Sequence, residues 1–278
     1  MPQRLQRNLQ RVLDSFLMNI WKSIRPYISG AVRFFHISYI EAKSRNRGAY
    51  LGILWIPLSS LIFSATLALI FRHSDTLDPM SFFLYVLAGY VFWSLISSTI
   101  TGSTDIIQTK FDFAIHNNLT LVGLFSKNIV DRLFEYFINV ILIMFIMIIF
   151  SPGDFLSSIL LFPAFIALTA ITSFAASYIV NITVIFFPDT RSIFNVGVRF
   201  MFFASPVFWS ANESSNGLRS LLVQYNPAAY YLSLSRQVFG ISPIETTAWV
   251  VCLAISAVLC LTGYIAYRYS HAFVRNLK

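Results

Sequence analysis

The sequence lacks the motifs by which a chain binds ATP or a metal ion. Its 278 residues contain no Gly-Lys dipeptide, so a G-x-x-x-x-G-K-S/T phosphate-binding loop is excluded. The four histidines include no i, i+4 pair, and the twelve acidic residues form no cluster with metal-ligand spacing. No pairing of a nucleophile with a base is recognisable. We therefore expect this chain to be no enzyme and to bind no cofactor or metal of its own.

Cysteine is also scarce. Cys252 and Cys260 are the only two cysteines, and both lie in the last apolar stretch. Eight residues of α-helix separate two backbones by about 12 Å, which is too far for a disulfide. We expect both side chains to be small apolar packing residues.

Charge is sparse as well, and long apolar runs replace it. Charged residues make up only 12% of the chain, about half the share of a soluble globular protein, while hydrophobic residues make up 56%. A helix needs roughly 20 apolar residues to cross a membrane, and lipid offers no partner for an unpaired backbone amide. The sequence therefore predicts an all-α polytopic membrane protein. Its six transmembrane helices are expected at about 52–71, 82–101, 133–150, 156–180, 193–209 and 246–267.

The basic residues are distributed unevenly between the two sides that these spans define. The formal net charge is +8, and sixteen of the 20 Lys and Arg lie before residue 51, in the 102–132 connection, at Arg191 or in the C-terminal tail. The positive-inside rule therefore predicts that both termini and the 102–132 connection are cytoplasmic. Topology explains the surplus of positive charge, so we expect no nucleic-acid partner.

Two cytoplasmic regions have the pattern of amphipathic helices. Residues 1–25 carry apolar residues at spacings of three and four, with Arg4, Arg7 and Arg11 on the opposite face. This is typical of a helix that lies on a membrane surface or against a partner. Residues 31–44 form a second such piece. We therefore divide the chain into an interface region, 1–50, and a transmembrane domain, 51–278.

Two connections are too apolar for simple loops. The 102–132 connection mixes charges with apolar residues at helical spacing, which favours short helices docked on a soluble partner, although a solvated connector also fits. The 210–245 segment contains apolar runs of about ten residues at the membrane boundary. Runs of that length predict short re-entrant or interfacial helices between spans five and six.

Arg199 is the one cation that falls inside a predicted span. A charge at that depth is costly unless it is paired, hydrated or able to reach the interface. It either extends to the cytoplasmic interface or pairs with Glu135, or else it contacts an anionic substrate such as a lipid pyrophosphate. The role of the aromatic residues, which make up 17% of the chain, is equally open, because aromatic rings form interfacial belts and would also line a sugar channel.

Four short segments, in order, resemble a known family over roughly residues 33–278. They are Tyr50-Leu51-Gly52-Ile53-Leu54-Trp55-Ile56-Pro57-Leu58 after a basic run, Pro188-Asp189-Thr190-Arg191-Ser192-Ile193, Phe202-Phe203-Ala204-Ser205-Pro206-Val207-Phe208-Trp209, and Tyr225-Asn226-Pro227-Ala228 followed by Arg236. Together with six spans, they resemble the ABC-2 type permease subunits that export bacterial surface polysaccharides such as O-antigen, capsule and teichoic acid.

The resemblance implies partners and a location. It implies a homodimer in the bacterial cytoplasmic (inner) membrane, joined to two copies of a separate ABC nucleotide-binding subunit that holds ATP and Mg. The cargo would be a glycan on an undecaprenyl-type lipid, or on a phospholipid for some capsules. Spans one and five of each protomer would line a channel at the dimer interface, and the 210–243 segment would gate its outer mouth.

The resemblance also implies roles for particular residues. Channel or substrate-lining candidates are Trp55, Ser59, Arg199, Phe203, Phe208 and Trp209. Periplasmic gate candidates are Tyr225, Tyr230 and Tyr231. Candidates for coupling to the ATPase are Asp105, Phe111, Asp112, Ile115, Asp189, Arg191, Arg45 and Arg47.

Two other functions remain open on the sequence. The first is an ABC-2 efflux permease for a small molecule or drug, although such permeases tend to lack the basic amphipathic start and the Leu-Gly-x-Leu-Trp junction. The second is a membrane enzyme acting on lipid-linked sugars, which would need a catalytic acid or base that we cannot place.

Overall fold

The computed structural model describes residues 18, 29–30, 32–71, 78–150, 153, 156, 158–209 and 218–275, and every regular element in them is helical. The amphipathic helix predicted over residues 1–25 lies outside this part of the chain, except for residue 18. The helices, in chain order, are α1 (residues 32–45), α2 (Trp55–Phe71, after a 3-10 turn Gly52–Leu54), α3 (Pro79–Thr101), α4 (Ile106–His116), α5 (Leu121–Phe150), α6 (Phe162–Phe186, after a 3-10 turn Ile159–Leu161), α7 (Thr190–Ala204), α8 (Leu218–Tyr225), α9 (Pro227–Val238) and α10 (Thr246–Arg275).

Five of the described helices are long and apolar enough to cross a membrane. With their adjoining turns they are Gly52–Phe71, Pro79–Thr101, Leu121–Phe150, Ile159–Phe186 and Thr246–Ser270. These correspond to five of the six predicted spans. Within the described residues, the prediction of an all-helical chain with several helices able to cross a membrane is therefore confirmed.

The predicted span at 193–209 has a different form. Helix α7 has 15 residues, or about 22 Å, which is short of the ~30 Å hydrocarbon core. It ends because Ser205 precedes Pro206 and adopts extended geometry, with φ −97° and ψ 147°, as residues before proline prefer. Residues 205–209 continue as a non-helical strap. A sixth membrane-crossing helix is therefore not confirmed.

Two helix starts differ from the predicted boundaries. Helix α3 begins at Pro79 because the Asp78 carboxylate accepts hydrogen bonds from the backbone amides of Met80 and Ser81 at 3.1 Å, a proline-assisted N-cap. Helix α5 begins at Leu121 rather than 133. The charged residues of 121–132 thus lie inside a 30-residue helix and not in a connection.

Helix α3 is at the centre of the bundle. It packs against α2, α5, α6, α7 and α9, and its side chains dominate the main apolar core, with Val86, Leu87 and Ala88 fully buried. Helices α6 and α10 share the most extensive contact of any two described helices. A Cβ atom on Gly263 would lie 3.4 Å from the Cβ of Ala175, which shows how small residues allow two helices to approach.

A second, smaller core lies where α4 folds back on the bundle. Ile106, Ile107 and Ala114 of α4 pack against Phe125 of α5 and Tyr178 of α6. The prediction of a helix within the 102–132 connection is therefore confirmed, and the plain solvated connector is excluded. We call this side of the bundle the α4 end, and the opposite side, where α3 and α10 begin, the α9 end.

Candidate functional site

Helices α2 and α7 present the most open face of the bundle. Helix α2 is the least buried of the five long helices. Its exposed side chains include Trp55, Ser59, Ile62, Phe63 and Leu69, and those of α7 include Ile193, Val196, Arg199, Phe200 and Phe203. We call these ten residues the open face. It contains four of the six channel or substrate-lining candidates.

Aromatic rings join α2 to the end of α7 beside this face. The ring centroids of Phe71 and Phe208 lie 4.4 Å apart, and those of Phe63 and Phe202 lie 6.5 Å apart. Phe202, Phe203 and Phe208 also contact one another, with centroid distances of 5.3–6.1 Å. Aromatic pairs at these distances stabilise packing beyond the area they bury. The rings therefore fix the strap against α2.

Phe208 and Trp209, the two channel candidates outside the open face, are less accessible than Phe203. Phe203 is 66% exposed, whereas Phe208 is buried behind it. Trp209 is partly buried, and its backbone carbonyl accepts a hydrogen bond from the Tyr85 hydroxyl at 3.2 Å. Phe203 can thus contact a ligand on the open face, while Phe208 supports the rings that surround it.

Arg199 does not pair with Glu135. The Glu135 carboxylate is bound by Arg45, the last residue of α1, and no ion pair within the described residues involves Arg199. Its side chain is exposed on the open face. The alternative in which Arg199 pairs with Glu135 is therefore wrong, because Arg45 binds that carboxylate. The contact between Arg199 and an anionic substrate stays a prediction.

A buried arginine holds the strap in place from the inside. Arg236 of α9 is only 3% exposed, and its Nη2 donates to the backbone carbonyls of Pro206 at 2.6 Å and Val207 at 3.2 Å. Its Nε donates to the Tyr85 carbonyl at 3.3 Å, and its guanidinium lies 3.5 Å from the centre of the Tyr85 ring. The carbonyls and the ring thus replace a carboxylate as the partners of the charge.

Asn226 connects α9 to the end of α7. Its side-chain oxygen accepts from the Ala228 amide at 2.9 Å and caps α9. Its side-chain nitrogen donates to the Ser205 hydroxyl at 2.8 Å. The Asn-Pro pair therefore starts a helix and, in the same place, binds the residue at which α7 ends.

The three gate candidates have different environments. Tyr225 is exposed. The Tyr230 hydroxyl donates to the Gln224 carbonyl at 2.9 Å. The Tyr231 hydroxyl is buried and lies 2.7 Å from the Ser256 hydroxyl and 3.0 Å from that of Thr172. Through Tyr231, helix α9 thus contacts α6 and α10, in each case ten residues after the first residue of that helix. The gating role of these tyrosines stays a prediction.

At the α4 end, a buried lysine joins α1 to α5. Lys127 is 1% exposed, and its Nζ donates to Glu41 Oε2 at 3.0 Å and to Asp131 Oδ1. Asp131 also accepts from the Ser38 hydroxyl at 2.6 Å and from Lys110 of α4 at 3.4 Å. We call these five residues the ionic junction. A buried charge whose partners are removed is strongly destabilising, so the junction firmly connects α1, α4 and α5.

The coupling candidates divide into two groups. Arg191 is ion-paired to Asp105, which joins the start of α7 to the turn before α4, and Arg45 is paired as described above. Phe111 is half-buried on α4. Exposed side chains at this end belong to Arg47, Asp112, Ile115 and Asp189. The first group connects helices within the chain, and the exposed group is free to contact a partner.

Sequence reasoning missed the roles of Lys127 and Arg236. The Lys127–Asp131 spacing of four residues was a usable signal, since opposite charges at i, i+4 lie on one helix face. Arg236 offered a weaker signal, a lone charge in an apolar segment.

Within the described residues, no group of three or more His, Cys, Asp or Glu could hold a metal ion.

No protein-family model matches the chain. It is similar to the O-antigen export system permease protein RfbA of Myxococcus xanthus, with 22% identity over 200 residues that cover 72% of this chain and 76% of that protein. The chain is thus similar, over most of its length, to a permease of an export system.

Proposed function

We propose that this chain is the transmembrane permease subunit of an ATP-driven exporter that moves lipid-linked polysaccharide out of the cytoplasm across the inner membrane. The relative is named as an O-antigen export permease, and the sequence resemblance stated above points to the same class. The observation that carries the proposal is the open face of α2 and α7.

The composition of this face suits a polymer channel better than a lipid contact. A cation that faces hydrocarbon is costly, yet Arg199 is exposed nine residues into α7. In a homodimer whose two open faces oppose each other, Arg199 faces water and anionic cargo instead. Exposed Phe200 and Phe203 then offer rings on which the C–H surfaces of sugars stack.

The short helices complete the sixth crossing of the membrane. Helix α7 starts at the α4 end, where Arg191 meets Asp105, and its far end meets α9 through Asn226. Helix α9 runs beside α10 to its start, where Gln237 Oε1 accepts from the indole of Trp249 at 3.0 Å. In our proposal, α7 with α8 and α9 reaches the outer surface, α8 and α9 are re-entrant and gate the channel, and both termini are cytoplasmic.

The ATPase is a separate subunit, two copies of which bind ATP and Mg. It docks on residues 1–50 and on the exposed side chains at the α4 end. The ionic junction then transmits its movement from α1 to α5, and the Arg191–Asp105 pair transmits it to α7 on the open face. This arrangement explains why a transport chain contains no phosphate-binding loop.

Deletion of the gene tests the proposal. Lipid-linked glycan should accumulate in the cytoplasm and surface glycan should disappear, and the wild-type gene should restore export. Normal surface glycan in the deletion strain would refute polysaccharide export. Normal glycan together with increased sensitivity to a small toxic compound would instead support the efflux alternative.

A further inference from the structure

A polar cavity lies between α2, α3 and α5. It has a volume of about 180 Å³ and is distinct from the two larger cavities, whose walls are mainly apolar. Its lining includes four serine hydroxyls, from Ser59, Ser60, Ser94 and Ser98. It also includes Arg132, Glu135, Tyr136 and Asn139. A cavity with this many polar groups, inside a bundle of apolar helices, needs an explanation.

Arg132 is the unbalanced charge in this cavity. Its Nε is buried and has no hydrogen-bond partner, and no ion pair within the described residues includes it. The guanidinium lies directly over Gly102, where any Cβ atom would overlap it. Close packing against Gly102 thus holds the side chain in a position where no described carboxylate forms an ion pair with it.

The neighbouring carboxylate does not neutralise Arg132. Glu135 is ion-paired to Arg45, so the cavity with its immediate surroundings holds two guanidinium groups and one carboxylate. Asn139 is 6% exposed; its side-chain nitrogen donates to the Glu135 carbonyl at 2.9 Å, and its side-chain oxygen has no partner. The site is therefore one negative charge short. The hydroxyls of Ser59, Ser60 and Ser98 donate to backbone carbonyls of their own helices at 2.9–3.3 Å, which leaves Ser94 as the serine donor directed to a ligand.

The position of the cavity limits what can occupy it. Ser98 lies three residues before the end of α3, and Ser59 is exposed on the open face in the second turn of α2. The Ser98 and Arg132 side of the cavity is thus near the α4 end of the bundle, at the depth expected for lipid headgroups, and Ser59 places its edge on the open face. The volume of about 180 Å³ accommodates a phosphate group, since it is several times the ~30 Å³ that a single water occupies in the liquid.

We propose that this cavity binds the phosphate of a lipid headgroup, with Arg132 as the charged ligand and the Ser94 hydroxyl as a neutral donor. Arginine binds phosphate through two parallel N–H groups, which gives it both charge and geometry for this task. The phosphate comes either from the lipid carrier of the cargo or from a membrane phospholipid. The first source rests on the proposed function, and the second does not.

Native mass spectrometry of the full-length chain in detergent tests this site. Undecaprenyl phosphate is the probe, and the variants are Arg132→Gln, Arg132→Lys and, as matched control, Arg268→Gln, which removes an exposed arginine at the same end of the bundle. Arg132→Gln should weaken binding by about tenfold or more, since a charged hydrogen bond stabilises by at least ~1.4 kcal/mol. Arg132→Lys should bind with intermediate affinity, and Arg268→Gln should bind like the wild type.

Competition by phosphatidylglycerol identifies the source of the phosphate. Equal competition assigns the site to phospholipids, and poor competition assigns it to the carrier. Wild-type affinity in Arg132→Gln would overturn the site, as would equal losses in Arg132→Gln and Arg268→Gln. If Arg132→Gln is not monodisperse, the comparison of Arg132→Lys with Arg268→Gln decides. Normal surface glycan after gene deletion would refute the export function alone, because the binding measurement requires no transport.

Discussion

Replacing Arg236 by leucine should loosen the α9 end of the bundle and destabilise the whole chain. The guanidinium donates to three backbone carbonyls, of Tyr85, Pro206 and Val207. Two of these belong to the strap that follows α7, and none of them gains a new donor when leucine takes the place of arginine. The substitution therefore leaves buried acceptors without partners and frees the strap from α3.

The magnitude follows from these contacts. Each hydrogen bond to a charged donor stabilises by about 1.5–3 kcal/mol, and the cation–π contact with the Tyr85 ring adds about 2 kcal/mol where it is desolvated. Removing a buried charge also removes several kcal/mol of desolvation cost. The net loss should be about 3–5 kcal/mol. For a chain of this size, that lowers the unfolding temperature by on the order of 10 °C.

Thermal unfolding in detergent, followed by size-exclusion chromatography, measures this loss. Gly89→Ala provides a linked test, because its Cβ would lie 2.5 Å from Arg236 Nη2 and 3.1 Å from the Val207 carbonyl oxygen. Gly89→Ala should destabilise the wild type more than it destabilises Arg236→Leu. An Arg236→Leu variant with wild-type stability, or strictly additive effects of the two changes, would refute the role assigned to this arginine.

Three further predictions concern the junction and the open face. Lys127→Met should lower the free energy of unfolding by about 2–4 kcal/mol and release α1 from the bundle. Trypsin should then cleave residues 32–47 faster than in the control Lys110→Met, which loses only a 3.4 Å contact. Equal cleavage rates would contradict the junction. In a chain without Cys252 and Cys260, a cysteine at Ile62 should form disulfide-linked dimers on oxidation, and one at the exposed residue Val258 of α10 should not; the reverse result would place the dimer interface elsewhere. Phe203→Ala should reduce export several-fold if a ring–sugar contact of ~1 kcal/mol is lost, whereas Phe145→Ala, equally exposed on α5, should leave it unchanged; equal losses would exclude a specific role for Phe203.

Hydropathy predicted the long helices well because a membrane span needs only length and apolar content. At 193–209 it did not predict where the helix ends, because an average over residues does not detect the effect of one proline. Pro206 interrupts the apolar run, and its preceding residue leaves helical geometry. Of the predicted run, only residues 193–204 are helical, and they belong to the 15-residue helix α7, which begins at Thr190.

The polar sites were not predictable because their partners are distant in the sequence. Lys127 lies 86 positions from Glu41, and Arg236 lies 151 positions from Tyr85. Pattern alone shows Lys127 as one charge among several in a connection, and Arg236 as a lone charge in an apolar segment. Only the packing of α1 on α5, and of α9 on α3, reveals that both are buried. By contrast, the exposed candidates Asp112 and Ile115 follow from the periodicity of a single helix.

The most direct test of the export function uses inverted membrane vesicles that contain the chain, its partner ATPase and radiolabelled lipid-linked glycan. The account predicts that ATP moves the glycan into the vesicle lumen, where added glycosidase cannot reach it, and that vesicles without this chain show no such protection. Glycan that remains accessible after ATP addition, or that becomes protected to the same extent without the chain, would contradict it.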